Sequence, residues 1–180
     1  MIVFDPDLDS APGDKAATTA VPRGERMPSG RTLARFLTEA QAAVRLRGQV
    51  TVLFTTDSAI RRLNRQFRGK NKATDVLSFP AEPIPGLKSA QQIAGDLAIS
   101  VPTARRQAAA QGHALAIEVK VLMLHGLLHL AGYDHETDTG QMARRERALR
   151  AKLKLPQGLI ERVEGGPAHK QPRRRTGARP

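Results

Sequence analysis

Three histidines, His125, His129 and His135, stand close together in the segment LHGLLHLAGYDHE. His125 and His129 are four residues apart, so on a helix of about 3.6 residues per turn both imidazoles lie on one face, one turn apart. Gly132 follows them, and because glycine readily takes the left-handed conformation that ends many helices, the chain can turn there and bring His135 back. Three converging imidazoles with a fourth position open are typical of a catalytic zinc site.

The same stretch is compatible with a purely structural buried helix, because its other residues are apolar on every side. A single histidine in such a helix is usually a core residue bonded to a carbonyl. Two histidines one turn apart would each need a polar partner in an apolar setting, which favours a metal site. His113 and His169 have no such neighbours in the sequence, and we expect both to be exposed.

The histidine spacing H-x-x-x-H-x-x-G-x-x-H is also that of the metzincin proteases. Those enzymes carry a general-base glutamate directly after the first histidine, and here that position is Gly126. A glycine inside a helix costs about 1 kcal/mol relative to alanine, so we expect another element to approach closely at Gly126. Met142 could suggest a metzincin methionine turn, but its helical spacing with Leu149 predicts core packing.

Three motifs together resemble one protein family. HGLLHLAGYDHE closely resembles the H-G-x-L-H-L-x-G-Y-D-H signature of the YbeY-type bacterial endoribonucleases, which are ribosomal RNA maturation factors. FRGKNKATDVLSFP resembles that family's R-G-K-x-x-x-T-D-V-L-S-F-P block, and AGDLAIS is similar to its G-D-[LIV]-x-I-[SC] strand. The resemblance covers residues 33–155 and leaves out the first thirty residues and the tail.

The resemblance implies a metal-dependent endoribonuclease that cuts single-stranded RNA. It implies a role in ribosomal RNA processing (maturation of the 3′ end of 16S rRNA) and in quality control of the small ribosomal subunit. It also implies one zinc per chain, held by His125, His129 and His135, although imidazole suits nickel and copper as well. Such an ion lowers the pKa of a coordinated water toward ~7. Asp134 and Glu136 are candidates, by proximity, to hold the free ring nitrogens.

Arg68 is a further residue with an expected chemical role. A guanidinium can clamp a phosphate with two hydrogen bonds and neutralise charge that develops in the transition state. The resemblance implies that Arg68 is catalytic, because it matches the arginine of the family's R-G-K block. Lys70 and Lys72 would bind backbone phosphates less specifically. The alternative is that Arg68 is one exposed arginine among many, and for Asp75 we expect a capping role rather than a catalytic one.

Composition supports a nucleic-acid partner. The 180 residues contain 29 basic and 17 acidic side chains, for a net charge of +12, and a positive field attracts phosphate backbones. The chain has five phenylalanines, one tyrosine and no tryptophan, so no platform for stacking single-stranded bases is evident. Cysteine is absent, which excludes disulfides and thiolate ligands and suits a reducing compartment. Without a signal peptide or a long apolar run, we expect a soluble cytoplasmic protein.

Hydrophobic periodicity predicts a single α+β domain, because strands and helices are mixed without regular βαβ alternation. Strands are expected at 50–55, 75–79 and 93–100, with an edge strand at 1–4, and helices at 33–46, 57–67, 102–111, 114–131 and 137–153. Thr32, and Asp57 or Ser58, are the expected helix caps. The resemblance implies a small mixed four-stranded sheet packed with about five helices.

The chain divides into three predicted regions. Residues 1–30 form a flexible N-terminal arm, residues 31–164 form the endoribonuclease domain, and residues 165–180 form a disordered basic tail. The tail holds five basic residues and no acid, yet the rest of the chain remains basic without it.

Two other functions remain open from the residues. One is a non-catalytic ribosome-assembly factor that binds RNA and uses its zinc structurally. The other is a metallohydrolase of another class, such as a protease, which the ligand spacing supports and Gly126 weakens. For an endoribonuclease, attack by water and attack by the RNA's own 2′-hydroxyl both remain possible.

Overall fold

The computed structural model describes residues 1–8, 23–135 and 138–157. Its four strands are β1 (Ile2–Phe4), β2 (Gln49–Thr55), β3 (Val76–Pro80) and β4 (Ile93–Ser100), and they form one sheet in the order β1-β2-β4-β3. β1 runs parallel to β2, β2 runs parallel to β4, and β3 is antiparallel to β4. The sheet is therefore mixed, as predicted, and β3 is an edge strand. Each expected strand is present within one or two residues.

Five α-helices accompany the sheet in the described residues, and this confirms the predicted α+β class. They are α1 (Gly30–Val44), α2 (Asp57–Arg68), α3 (Val101–Ala110), α4 (Leu115–Leu130) and α5 (Gln141–Lys152). The expected caps were misplaced by one to three residues. Ser29 caps α1 instead of Thr32, and Thr56 caps α2, because each accepts a hydrogen bond from the amide three residues ahead.

Helix α4 is the centre of the core, since twelve of its sixteen residues are buried. It packs with α1 against one face of the sheet, where Val52 and Phe54 of β2 and Leu97 of β4 contribute to the main cluster. Side chains alternate along a strand, so Ala98 points to the opposite face. There it forms a smaller cluster with Ile60 of α2 and Leu77 of β3. The sheet thus separates α2 from α4.

In the part of the chain that the structure describes, no single helix is long and apolar enough to cross a membrane. Helices α3 and α4 pass that test only as a pair, by length and composition, and they are bent by 113°. The division into arm, domain and tail stays a prediction, because residues 9–22 and 158–180 lie outside the described residues.

Candidate metal centre

The three histidines of the motif converge on one point. The Nε2 atoms of His125 and His129 are 3.2 Å apart, as their one-turn spacing on α4 predicts. The ring of His135 lies 5.5 Å from that of His125 and 5.2 Å from that of His129, measured between centroids. One ligand atom from each residue lies within 4.8 Å of the other two, so the group can hold a metal ion.

His135 reaches the other two because the chain reverses at Gly132. This residue has φ +87°, a left-handed conformation that glycine adopts without strain. The amide of Gly132 donates to the carbonyl of His129, and the amide of Tyr133 donates to that of Leu128, each at 3.0 Å. These bonds pair carbonyls that the end of the helix would otherwise leave open. The predicted glycine turn is confirmed.

Gly126, between the two helical histidines, lies in close contact with the sheet. A Cβ atom built there would lie 2.8 Å from Cδ2 of Leu97 and 3.3 Å from Oγ of Ser78. The Ser78 hydroxyl also donates to the Gly126 carbonyl at 3.4 Å. The close approach expected from the sequence is therefore confirmed. The absence of a side chain at Gly126 lets the part of α4 that carries the two histidines pack directly against β3 and β4.

Glu146 of α5 orients the first histidine, and sequence reasoning missed it. Its Oε2 accepts a hydrogen bond from Nδ1 of His125 at 2.9 Å, while its Oε1 is bound by the guanidinium of Arg150. A carboxylate at Nδ1 keeps the proton on that nitrogen and leaves the Nε2 lone pair facing the other histidines. The sequence did contain a signal for this acid. Glu146 follows Met142, a predicted core residue, by one helical turn, and this spacing places an acid on the buried side of the helix.

The geometry of the donors suits a metal ion. Two nitrogens bound at 2.0–2.1 Å to a tetrahedral zinc lie about 3.3–3.4 Å apart. The 3.2 Å separation of the His125 and His129 Nε2 atoms is close to this value. The side chain of His125 is only 11 % exposed, and Glu146 and Arg150, which both lie on α5, shield it from solvent. The residues present therefore fit a metal centre with imidazole ligands.

Helix α5 is anchored at its start by Asp138. The carboxylate accepts hydrogen bonds from the amides of Gly140, Gln141 and Met142, at 2.6, 3.1 and 2.7 Å. The amide of Met142 contributes most to keeping the pKa of Asp138 below its usual range. Met142 itself is buried in the core, so the prediction of core packing is confirmed. This anchor fixes the end of the helix that carries Glu146.

An open groove of about 1490 Å³ joins the histidines to the basic segment after α2. Arg68, Lys70 and Lys72 all line it together with the three histidines, and all three basic side chains are exposed. Gly69 ends α2 in the left-handed conformation, with φ +69°, and turns the chain into this wall of the groove. The fold thus brings every expected site residue to one groove, whose volume exceeds the ~300–1,000 Å³ of a small-ligand pocket.

Asp75, for which a capping role was expected, makes structural contacts at the start of β3. Its Oδ1 accepts the amide of Val76 at 2.8 Å, and its Oδ2 accepts a hydrogen bond from Nε2 of Gln107 at 3.0 Å. It therefore ties the start of β3 to α3 at the groove wall. The buried Asn64 donates to the carbonyl of Lys72 at 2.7 Å and so holds the loop between α2 and β3.

The expectation that His113 is exposed was wrong. Its side chain is 14 % exposed, and its Nε2 lies 2.6 Å from Oε2 of Glu118, which is fully buried. Asp134 lines the groove beside His135. Glu136 and His169, which sequence reasoning also considered, lie outside the described residues.

Comparison with known proteins agrees with this geometry. The pattern of the family described as Endoribonuclease YbeY matches residues 27–154. A protein named Endoribonuclease YbeY from Koribacter versatilis is 50% identical over 147 residues, which cover 82% of this chain and 91% of that protein. The protein of the same name from Solibacter usitatus is 46% identical over 157 residues, or 87% of this chain and 99% of that one. The relative from Nautilia profundicola is 49% identical over 115 residues, covering 64% and 79%.

The matched segment contains the whole three-histidine centre, Glu146 and the basic wall of the groove. The matched segment covers most of the described chain. The alignments with the first two relatives extend over nearly the full length of those proteins. The chain therefore belongs to the endoribonuclease YbeY family.

Proposed function

We propose that this groove is the active site of a zinc-dependent endoribonuclease that cuts single-stranded ribosomal RNA precursors. The observation that carries the proposal is the position of Arg68 in the same groove as the metal-binding histidines. A groove with cations on one wall and a metal centre on the other can hold a phosphodiester between them. Family membership supplies the reaction class, since an endoribonuclease hydrolyses bonds within an RNA chain.

Zinc is the metal that we propose for His125, His129 and His135. A donor set of three neutral imidazoles with an open position is common in catalytic zinc sites. When bound, zinc polarises a phosphoryl oxygen and makes a water molecule acidic enough to attack near neutral pH. The chain itself supplies the orientation, because Glu146 fixes the proton of His125 on Nδ1 and leaves Nε2 as the ligand atom.

Arg68 is the residue that we propose to act on the phosphate. It ends α2 and lies directly before the Gly69 turn, so a rigid helix end positions its guanidinium in the groove. Two parallel hydrogen bonds from a guanidinium to a phosphate stabilise charge that grows on the equatorial oxygens during cleavage. Lys70 and Lys72 follow on the same wall and would bind the neighbouring phosphates of the strand.

We base ribosomal RNA as the target, and the role in small-subunit maturation and quality control, on the family resemblance together with the basic composition. Action in the cytoplasm is part of the proposal and suits a chain without cysteine. The shape of the groove supports a single-stranded substrate. Its volume of about 1490 Å³ is large enough for several nucleotides, and the bases of a single strand are free to contact its lining residues, whereas those of a duplex are paired and stacked.

The proposal is tested with Arg68→Ala and its matched control Arg65→Ala. Arg65 is exposed one turn earlier on α2 and is not among the described residues that line the groove. We expect Arg68→Ala to keep the fold and the metal but to lower the cleavage rate by about 10²–10³-fold, whereas Arg65→Ala stays near the wild type. Metal content, circular dichroism and cleavage of single-stranded and duplex RNA are measured in parallel.

His129→Ala completes the test. It should lose the metal together with the chelator-sensitive cleavage of single-stranded RNA. Metal retained in the wild type without cleavage of any RNA would instead support a ribosome-assembly factor with a structural zinc. If the wild-type protein binds no metal, the three histidines are not a metal site and the proposed active site is wrong.

A further inference from the structure

Phe67 is an exposed aromatic residue at the edge of the groove. It lies in the last turn of α2, and it is 58 % exposed. The buried residues of this helix are Ile60 and Asn64. Most large apolar side chains of the described residues are buried, so this exposure needs a reason. Its ring packs against that of Phe79, with centroids 5.1 Å apart and an interplanar angle of 69°. Such an edge-to-face contact fixes the ring and leaves much of its surface available.

Both rings belong to the groove that holds the metal centre. Phe67 and Phe79 line it together with His125 and His129. Phe79 lies on the edge strand β3, where it pairs with Asp96 of β4. The residue before it, Ser78, is hydrogen-bonded to the carbonyl of Gly126, between the two helical histidines. A single rigid strand therefore connects the aromatic pair to the metal-bearing helix.

The charges around Phe67 indicate a polyanion. Residues 57–74 contain six basic side chains and one acid, Asp57, and Phe67 stands next to Arg68 in the sequence. An exposed ring among cations suits a ligand that has both a flat apolar face and a phosphate. A nucleotide of single-stranded RNA combines the two, whereas an apolar protein surface would have to desolvate the cations.

We infer that Phe67, supported by Phe79, is a stacking platform for one unpaired base of the RNA bound in the groove. The inference rests on the proposed function and adds a binding subsite to it. Stacking uses only the face of the base, so the platform would accept any of the four bases. It would also require that base to be unpaired, and thus gives the groove a physical basis for preferring single strands. The scarcity of aromatic residues hid this site in the sequence, because the fold alone brings two phenylalanines together.

The chain lacks tryptophan, so a single introduced tryptophan reports on its own surroundings. In the Phe67→Trp variant, a stacked base should quench the fluorescence as single-stranded RNA is added. The matched control is Phe4→Trp. Phe4 is also exposed, at 42 %, and also stacks on a second ring, that of Phe54 at 5.4 Å, but it lies on β1 at the opposite edge of the sheet.

We expect saturable quenching in Phe67→Trp, with the Kd that anisotropy of labelled RNA gives, and none in Phe4→Trp. A second variant, Phe67→Leu, keeps an apolar side chain but removes the π face. It should raise the Kd for single-stranded RNA about 5- to 150-fold, as loss of one stacked base predicts. Circular dichroism and metal content check that both variants fold with an intact centre.

Different results would overturn the proposed function and the stacking platform. Wild-type protein that neither binds nor cuts RNA would overturn the proposed function and the platform together. Wild-type protein that binds and cuts RNA, while Phe67→Trp is not quenched and Phe67→Leu keeps the wild-type Kd, would overturn the platform alone. That second result would mean that the exposed ring of Phe67 lies outside the RNA-binding surface.

Discussion

The carboxylate of Glu146 accepts the Nδ1 hydrogen of His125 at 2.9 Å, although the two residues are 21 positions apart in the chain. The same carboxylate is held by Arg150, whose side chain is only 7 % exposed. An imidazole whose free nitrogen is fixed in this way presents its other nitrogen to a metal in one orientation and one tautomer. α5 therefore belongs to the metal centre, although it contributes no ligand.

Glu146→Gln should weaken metal binding by about 10- to 100-fold, because the amide no longer dictates which nitrogen of His125 carries the proton. The Kd for zinc, measured by competition with a chromophoric chelator, checks this. Glu39→Gln is the matched control, since Glu39 is exposed on α1.

The variant also removes the negative charge that faces the buried guanidinium of Arg150, so the thermal stability of the protein should fall as well. An unchanged zinc Kd in folded Glu146→Gln protein would mean that Glu146 serves only as a partner for Arg150.

Gly126→Ala should destabilise the protein, by up to about 2 kcal/mol, although alanine is the better helix former. The gain of about 1 kcal/mol in helix propensity is offset by an overpacking cost of ~1–3 kcal/mol, since the new methyl group would lie 2.8 Å from Cδ2 of Leu97, which is itself buried. Urea unfolding measures the difference.

Gly30→Ala is the control for this substitution. Gly30 is also helical, but a Cβ there meets only Phe4, at an ordinary contact distance of 3.6 Å, so its free energy of unfolding should not fall. Equal stability of Gly126→Ala and the wild type would show that α4 can shift away from the sheet at no cost.

His113→Ala should lower the free energy of unfolding by about 3 kcal/mol, the usual cost of removing one partner of a buried pair. Glu118 is fully buried, and its Oε1 already has no hydrogen-bond partner among the described residues. Removing His113 would leave Oε2 without this partner too, and an uncompensated buried carboxylate is costly. The measurement is urea unfolding at neutral pH.

The double variant His113→Ala/Glu118→Leu tests the cause, because it removes the carboxylate along with its partner. It should recover much of the lost stability. A double variant no more stable than the single one would point to lost packing of the imidazole rather than to the buried charge.

The stability contributed by Asp57 should be lost in acid. Burial raises the pKa of its carboxyl, but hydrogen bonds from Ser100, Thr103 and Arg106 outweigh burial and hold the pKa below its usual range. A group with a depressed folded-state pKa stabilises the protein above its unfolded value of about 3.9. That contribution disappears as the pH falls through the folded-state pKa.

Asp57→Asn should therefore be less stable than the wild type at neutral pH, by about 1.5 kcal/mol, and the gap should narrow below about pH 4. Thermal unfolding of both proteins over the acid range provides the comparison. A gap that stays constant down to the lowest pH would show that the carboxyl does not titrate as its contacts predict.

The sequence alone predicted the parts of this protein that depend on local periodicity. The helical spacing of His125 and His129, the turn at Gly132 and the close approach at Gly126 follow from geometry within a few residues. The strands and helices followed from hydrophobic patterns, with errors of a few residues at their ends. The motifs also predicted the endoribonuclease family, which the comparisons confirmed.

Only the tertiary structure revealed the contacts made between elements. Glu146 meets His125 because α5 packs back on α4, and Phe67 meets Phe79 because α2 packs beside the edge strand. The spacing of Glu146 after Met142 was a signal for an acid beside the core, but it did not indicate the partner of that acid. His113 and Glu118 are only five residues apart, yet their contact depends on the bend of 113° between α3 and α4. Local spacing fixes which side chains share a face, but packing decides what that face meets.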